Sequence, residues 1–219
     1  MVLSSALTIL MMRIESVKTE PDRAGRYWVT FDDGNRLALY RQTVEDFALY
    51  PGKELTPDEW NMLQESAGQM SAKMRAVRIV AASSVSKKDL QHRLVQKGEN
   101  PQDAAEAVAW MEEMNLVDDT ETARQIVSRC IAKGYGLQRA KQALYEKQIP
   151  KHCWDEALVD YPDQSEHILA FLRSKISDPS DQKTVKKAVD ALLRRGHSYR
   201  LIRSALRRMD MDQEDFLEE

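Results

Sequence analysis

Two hydrophobic periods divide this chain. Residues 13–18 (RIESVK), 26–31 (RYWVTF) and 36–40 (RLALY) mix aromatic and β-branched side chains with polar ones between turn formers, which predicts strands. Asp32-Asp33-Gly34-Asn35 supplies a hairpin turn, because Gly34 takes positive φ at little cost. A few short strands are marginal alone in water, so the predicted antiparallel sheet needs cover. A helix from about Thr56 to Ala67 provides it, with Trp60 and Leu63 laid over one face. The strands and this helix, residues 13–70, form a small N-terminal appendage.

From Ala72 onward the period is helical, and one passage recurs three times. A leucine comes shortly before a helix end: Leu94 before Lys97-Gly98, Leu144 before Lys147-Gln148, Leu192 before Arg195-Gly196. The recurrence, about every 50 residues, is that of helical repeat proteins. Ser86 with Asp89 opens a helix carrying Leu90 and Leu94, and Asn100-Pro101 opens the next, with Ala104, Ala107, Val108, Met111 and Met114 on one stripe. In the second passage Ala123, Ile126, Val127, Cys130 and Ile131 form a stripe. Gly134-Tyr135-Gly136 breaks it before Leu137, Ala140 and Leu144. In the third, Ile168, Leu172 and Ile176 line one helix, Val185, Ala188, Val189 and Leu192 a second, and Leu201, Ile202, Ala205, Leu206 and Met209 a third. The pattern predicts a mainly α protein: three tandem three-helix repeats (72–118, 119–161 and 163–209) in a curved elongated array, with the β-sheet and helix appendage in front. Short three-helix units lean on their neighbours, and a modular rod exposes a long face rather than a closed pocket.

Composition agrees. Charged residues make up 31% and only eight glycines and seven prolines occur in 219 residues, which favours helix and a large exposed surface. Cys130 and Cys153 lie at no metal-ligand spacing and read as reduced thiols, consistent with a cytoplasmic location. The apolar opening MVLSSALTILM lacks a basic start and is too short to span a bilayer. Residues 1–12 therefore read as a disordered or alternative-start segment, with Met12 as the candidate natural start, and no membrane association is expected.

Three stretches in order resemble the RecX family of recombination regulators. They are Ser86-x-x-Asp89-Leu90-x-x-x-Leu94-x-x-Lys97-Gly98, then Leu116-Val117-Asp118-Asp119 through Ala123, Val127, Gly134-Tyr135-Gly136, Ala140, Leu144 and Ile149, then Leu193-Arg194-Arg195-Gly196-His197-Ser198-Tyr199. The resemblance covers roughly residues 72–209. Gln148 stands where the family usually has glycine and His197 where it usually has an aromatic residue, so both turns depart from the pattern. Gln148 is accommodated if its position does not require positive φ. The resemblance implies a non-enzymatic regulator of homologous recombination and the SOS response. Such a protein binds the groove of the RecA nucleoprotein filament and mostly inhibits its assembly, ATP hydrolysis and strand exchange.

Candidate chemistry is sparse. Asp118-Asp119 at a helix start is explained by capping. His92, His152, His167 and His197 are scattered, read as surface or partly buried side chains, and form no metal pair. No phosphate loop, dinucleotide fingerprint or nucleophile elbow occurs, so no catalytic, metal or cofactor site is expected. The informative feature is charge. The overall formal charge is −3, yet residues 183–208 carry nine Lys and Arg against Asp190 alone. Arg200, Arg203 and Arg207 share one helical face, and Lys183, Lys187 and Arg194 another on the preceding helix. With Arg195 and Arg208 they form the candidate contact surface for the RecA filament or for phosphates. The alternative is a helical DNA-binding module competing for single-stranded DNA, with weak binding to single or double strands; Tyr135 and Tyr199 are the aromatics expected to be free for base stacking. The acidic tail, 210–219, is a weak, salt-sensitive mask for this surface. The chain is expected to act as a monomer.

Overall fold

The computed structural model describes residues 11–209. Among them are four strands and ten helices, so the chain is mainly α with a small antiparallel sheet. The alternative-start segment lies outside the described residues apart from Met11 and Met12, and the acidic tail lies wholly outside them. The described residues divide into two compact units, 11–83 with 90–116, and 84–89 with 117–209.

In the first unit the sheet joins β1 (Met12–Val17), β2 (Arg26–Phe31), β3 (Arg36–Tyr40) and the two-residue β4 (Glu54–Leu55) in the order β3-β2-β1-β4. The β2–β3 hairpin turns at Gly34 with φ +84°, the left-handed conformation its sequence required. β4, too short to show a period, closes the edge by pairing Leu55 with Met12. α1 (Arg41–Asp46) follows β3 directly. Ile14, Val29, Phe31, Leu39, Leu55 and Leu63 form the core beneath the sheet, and Trp60 meets Phe31 edge to face at 4.8 Å.

The cover helix is longer than its sequence pattern predicts: α2 runs Pro57–Ala82 as one piece, from the appendage into the first helical passage. It starts at a capping box, where the Thr56 hydroxyl accepts the Glu59 amide and the Glu59 carboxylate accepts the Thr56 amide. No proline or turn cluster interrupts it between Ala67 and Ala72. Gly68 lies inside it because α4 (Pro101–Glu113) passes close; a Cβ there would sit 2.5 Å from an Asp103 carboxylate oxygen. Ala72, Ala76 and Ile79 of α2, Leu90 and Leu94 of α3 (Lys87–Gln96) and Ala104, Ala107, Val108 and Met111 of α4 are buried. Met114, placed on that stripe by its period, is exposed at the helix end.

The second unit has two cores. One unites α5 (Asp119–Ala132), α6 (Leu137–Glu146) and α7 (His152–Leu158) around Ala123, Val127, Cys130, Ala140, Leu144 and Cys153. The other unites α8 (Ser165–Lys175), α9 (Gln182–Arg194) and α10 (Tyr199–Arg207) around Ile168, Leu172, Val185, Leu192, Ile202 and Leu206. Each fully buried leucine contributes roughly 1.5–3 kcal/mol. Leu137 is exposed rather than part of its stripe. Tyr135 is half-buried with its side chain packed against the first core rather than standing free for stacking.

The recurring leucine has a backbone role. The Leu94, Leu144 and Leu192 carbonyls accept the amides of Glu99, Ile149 and His197 five residues on, while the Val95, Tyr145 and Leu193 carbonyls accept those of Gly98, Gln148 and Gly196. These are paired helix-ending bonds around a left-handed residue. Gly98 and Gly196 take φ +91° and +84°. Gln148 takes φ +54°, so the expectation that this turn avoids positive φ does not hold; glutamine bears a strain of about 1–2 kcal/mol there.

Candidate functional site

Two elements present the cationic residues singled out from sequence. Asp181 caps α9, its carboxylate accepting the Lys183 and Thr184 amides, and Ser198 caps α10, its hydroxyl accepting the Leu201 amide. Val185, Ala188 and Leu192 turn one face of α9 into the core, and Ile202, Ala205 and Leu206 do so for α10. The opposite faces are then fixed: Lys183, Lys187 and Arg194 on α9, and Arg200, Arg203 and Arg207 on α10, are all exposed. Two of the predicted residues are engaged locally. The Arg195 guanidinium lies over the Phe171 ring at 4.8 Å, and Arg208 pairs with Glu166 at 2.8 Å. The latter pair is exposed at both ends and contributes little to stability.

The loop between these helices is locked to the preceding helical set. The Gly136 amide donates to the Arg195 carbonyl at 2.9 Å and the Gln138 amide to the Gly196 carbonyl at 3.2 Å. A Cβ on Gly136 would lie 2.2 Å from the Gly196 carbonyl oxygen, and one on Gly196 would lie 2.3 Å from the Arg139 amide nitrogen. Both glycines are there because two backbones touch. His197 completes the joint: it is fully buried, its Nε2 lies 3.1 Å from the Gly134 carbonyl, and its ring stacks with His167. Burial, with the nearby His167 and Arg195 charges, pushes its pKa below the usual histidine range, against the Gly134 bond.

Comparison with known proteins bears on this arrangement directly. The model of the RecX second three-helix domain matches residues 118–158, which hold α5–α7. The regulatory protein RecX of Clostridioides difficile (strain 630) is 26% identical over 207 residues, spanning 91% of this chain and 95% of that protein. The regulatory protein RecX of Vibrio parahaemolyticus (serotype O3:K6) is 27% identical over 152 residues, 68% of this chain and 98% of that protein. The chain is similar to RecX regulatory proteins along most of its length. Two solved RecX structures share the fold. One covers 88% of this chain and 99% of its own at a TM-score of 0.61 and 20% identity; the other, from Lactobacillus salivarius, covers 66% and 98% at 0.58 and 19%.

Within this chain the acidic pair at α5 serves structure. Asp118 caps its own helix through the Thr120 and Glu121 amides, while the buried Asp119 accepts the Lys87 amide at 2.9 Å, at the start of α3. Ser86 caps α3 through the Asp89 amide at 3.0 Å and donates to the Lys147 carbonyl at 2.7 Å. Cys130 is a core side chain whose thiol burial pushes up, as placed from its stripe. Among the described residues no group of three or more His, Cys, Asp and Glu side chains is arranged to hold a metal, and no helix is long and apolar enough to cross a membrane.

Two gatherings escaped the sequence reading. Tyr145, 69% exposed, and Trp154 border a cleft with Lys88 and Lys151. Arg26, Arg75, Arg78, Arg93 and Lys97 line another, in the first unit. Arg75 and Arg78 stand three apart on α2, and Lys97, just past the end of α3, stands four after Arg93, but nothing in sequence says that these residues and β2 converge.

Proposed function

We propose that this chain regulates the RecA recombinase by binding its nucleoprotein filament, restraining filament assembly, ATP hydrolysis and strand exchange without catalysis of its own. Similarity to proteins named as RecX regulators supports the regulatory part. The contact is assigned to the exposed faces of α9 and α10, with Lys183, Lys187, Arg194, Arg200, Arg203 and Arg207 at its centre and Arg195 and Arg208 at its edges. The observation that carries this assignment is that six cationic side chains are held outward by two capped helices whose other faces are fixed in one core. Such a surface meets phosphates or acidic protein over an extended partner. Three tandem repeats, 72–118, 119–161 and 163–209, acting as a cytoplasmic monomer along the filament belong to the same proposal.

The test is RecA-dependent ATP hydrolysis on single-stranded DNA while the protein is titrated in, paired with binding to bare DNA. Suppression of hydrolysis at concentrations where bare DNA is unbound supports the filament reading. Binding to bare DNA with no effect on RecA at limiting strand concentrations overturns it in favour of a DNA-binding module.

A further inference from the structure

We propose that the cleft formed by β2, α2 and α3 in the first unit is a second, separate site, and that it binds a phosphate group. The cleft encloses about 510 Å³, within the range of sites for small ligands. Its wall carries Arg26, Arg75, Arg78, Arg93 and Lys97 and no carboxylate-bearing residue. Carboxylates behind the wall pair Arg26 and Arg75, yet the surface that faces the open volume stays cationic, and a phosphate brings about −1.5 to −2 charges with several acceptor oxygens.

The cations are positioned rather than loose. Asp22 takes the Arg26 guanidinium through two bonds, at 2.8 and 3.0 Å, and the same pairing holds the Asp22 carboxyl below the usual range. Glu99, buried behind the wall, lies 2.5 Å from Arg75 and accepts the Ser71 hydroxyl at 3.0 Å. These two carboxylates anchor two arginines from outside the cleft. Arg78 is held by neutral acceptors, the Met74 carbonyl and the hydroxyl of buried Tyr40 at 2.6 Å, so its charge stays available. Arg93 reaches the Ser83 hydroxyl at 3.5 Å, and Lys97 stands exposed nearby. The Arg78 guanidinium, fixed from behind by neutral acceptors, suits the bidentate recognition of phosphate oxygens. A carboxylate presents two acceptor oxygens in one plane against the three of a phosphate, and for that reason an acidic peptide is the less suitable ligand. The site also gives the N-terminal sheet a task, because Arg26 at the start of β2 and Tyr40 at the end of β3 shape it.

The phosphate has two possible sources, a free or nucleotide phosphate and the backbone of a nucleic-acid strand. Binding of inorganic pyrophosphate, a nucleoside triphosphate, a short single-stranded oligonucleotide and an oligoglutamate peptide is measured by calorimetry on the full chain. The comparison uses wild type, Arg78→Gln with Arg93→Gln, Lys97→Glu, and an Arg200, Arg203 and Arg207 triple alanine variant. The expected result is phosphate binding that weakens about tenfold or more in the double variant. It weakens in Lys97→Glu too, where an exposed side chain is changed and the fold is not at stake, and it is unaltered in the triple variant. Tightest binding of pyrophosphate or triphosphate identifies a free ligand; binding of the oligonucleotide alone identifies a strand. The proposal is overturned if no phosphate ligand binds, if binding is indifferent to the cleft variants, or if oligoglutamate binds as well as the phosphates.

Discussion

The first and third helical sets end a helix in the same way and use the ending differently. In both, a glycine with φ near +90° follows a basic residue, and a buried residue comes next: Gly98 then Glu99, Gly196 then His197. Around Gly98 there is open space, and Glu99 turns to hold Arg75 at the wall of a cleft. Around Gly196 the Arg139 backbone is in contact, and His197 bonds the Gly134 carbonyl across to another turn. One backbone device thus serves as a free helix stop in one place and as a joint in the other. The cations follow the same division: gathered into a concavity around α2 and α3, laid along outward faces on α9 and α10.

The sharpest way to break the comparison is to add one methyl group to each glycine. Gly98→Ala meets only the left-handed backbone penalty, about 1–2 kcal/mol. Gly196→Ala meets that penalty and a backbone clash, and loses about 3 kcal/mol or more in urea unfolding. Equal losses would remove the distinction between a free stop and a joint.

The middle turn sharpens it further. Gln148 adopts the same left-handed conformation without being glycine, so Gln148→Gly relieves strain and raises stability by about 1 kcal/mol, read as a higher urea midpoint. A loss of stability would mean that the Gln148 side chain contributes more than its backbone costs.

The His197 joint carries a pH signature. Its folded-state pKa lies below 6.5, the ordinary value, so the unfolded chain takes up the proton first. The contribution of the neutral imidazole is complete above about pH 6.5 and is lost as pH falls from there through the folded-state value. His197→Phe removes this acid sensitivity from the unfolding free energy, at a modest cost at neutral pH from the unpaired Gly134 carbonyl. An identical pH dependence in wild type and variant would place the titration elsewhere.

Much of this was readable along the chain. The three predicted strands, the Gly34 turn, Trp60 and Leu63 under the sheet and nearly every stripe residue of α5, α8, α9 and α10 follow from period alone, since burial of one face is what those periods encode. The outward direction of Arg200, Arg203 and Arg207 follows for the same reason. What escaped depends on tertiary approach. The continuity of α2 past Ala67, the two-residue β4 that completes an edge, and the burial of His197 are set by neighbours distant in sequence. The cleft is the clearest case: Arg26, Arg78 and Arg93 come from three elements, and each is unremarkable in its own segment. Leu137 and Met114 show the converse, positions on a stripe that lie at helix ends and stay exposed.

The most direct test of the central claim, that the outward basic faces are what the regulator uses, is suppression of RecA-dependent ATP hydrolysis by wild type and two variants of confirmed helicity. These are the Arg200, Arg203 and Arg207 triple alanine variant and the Arg78→Gln, Arg93→Gln cleft variant. The account predicts suppression by wild type and by the cleft variant, and a loss of about tenfold or more in potency for the triple variant, with a weaker dependence on salt. Undiminished suppression by the triple variant would contradict it.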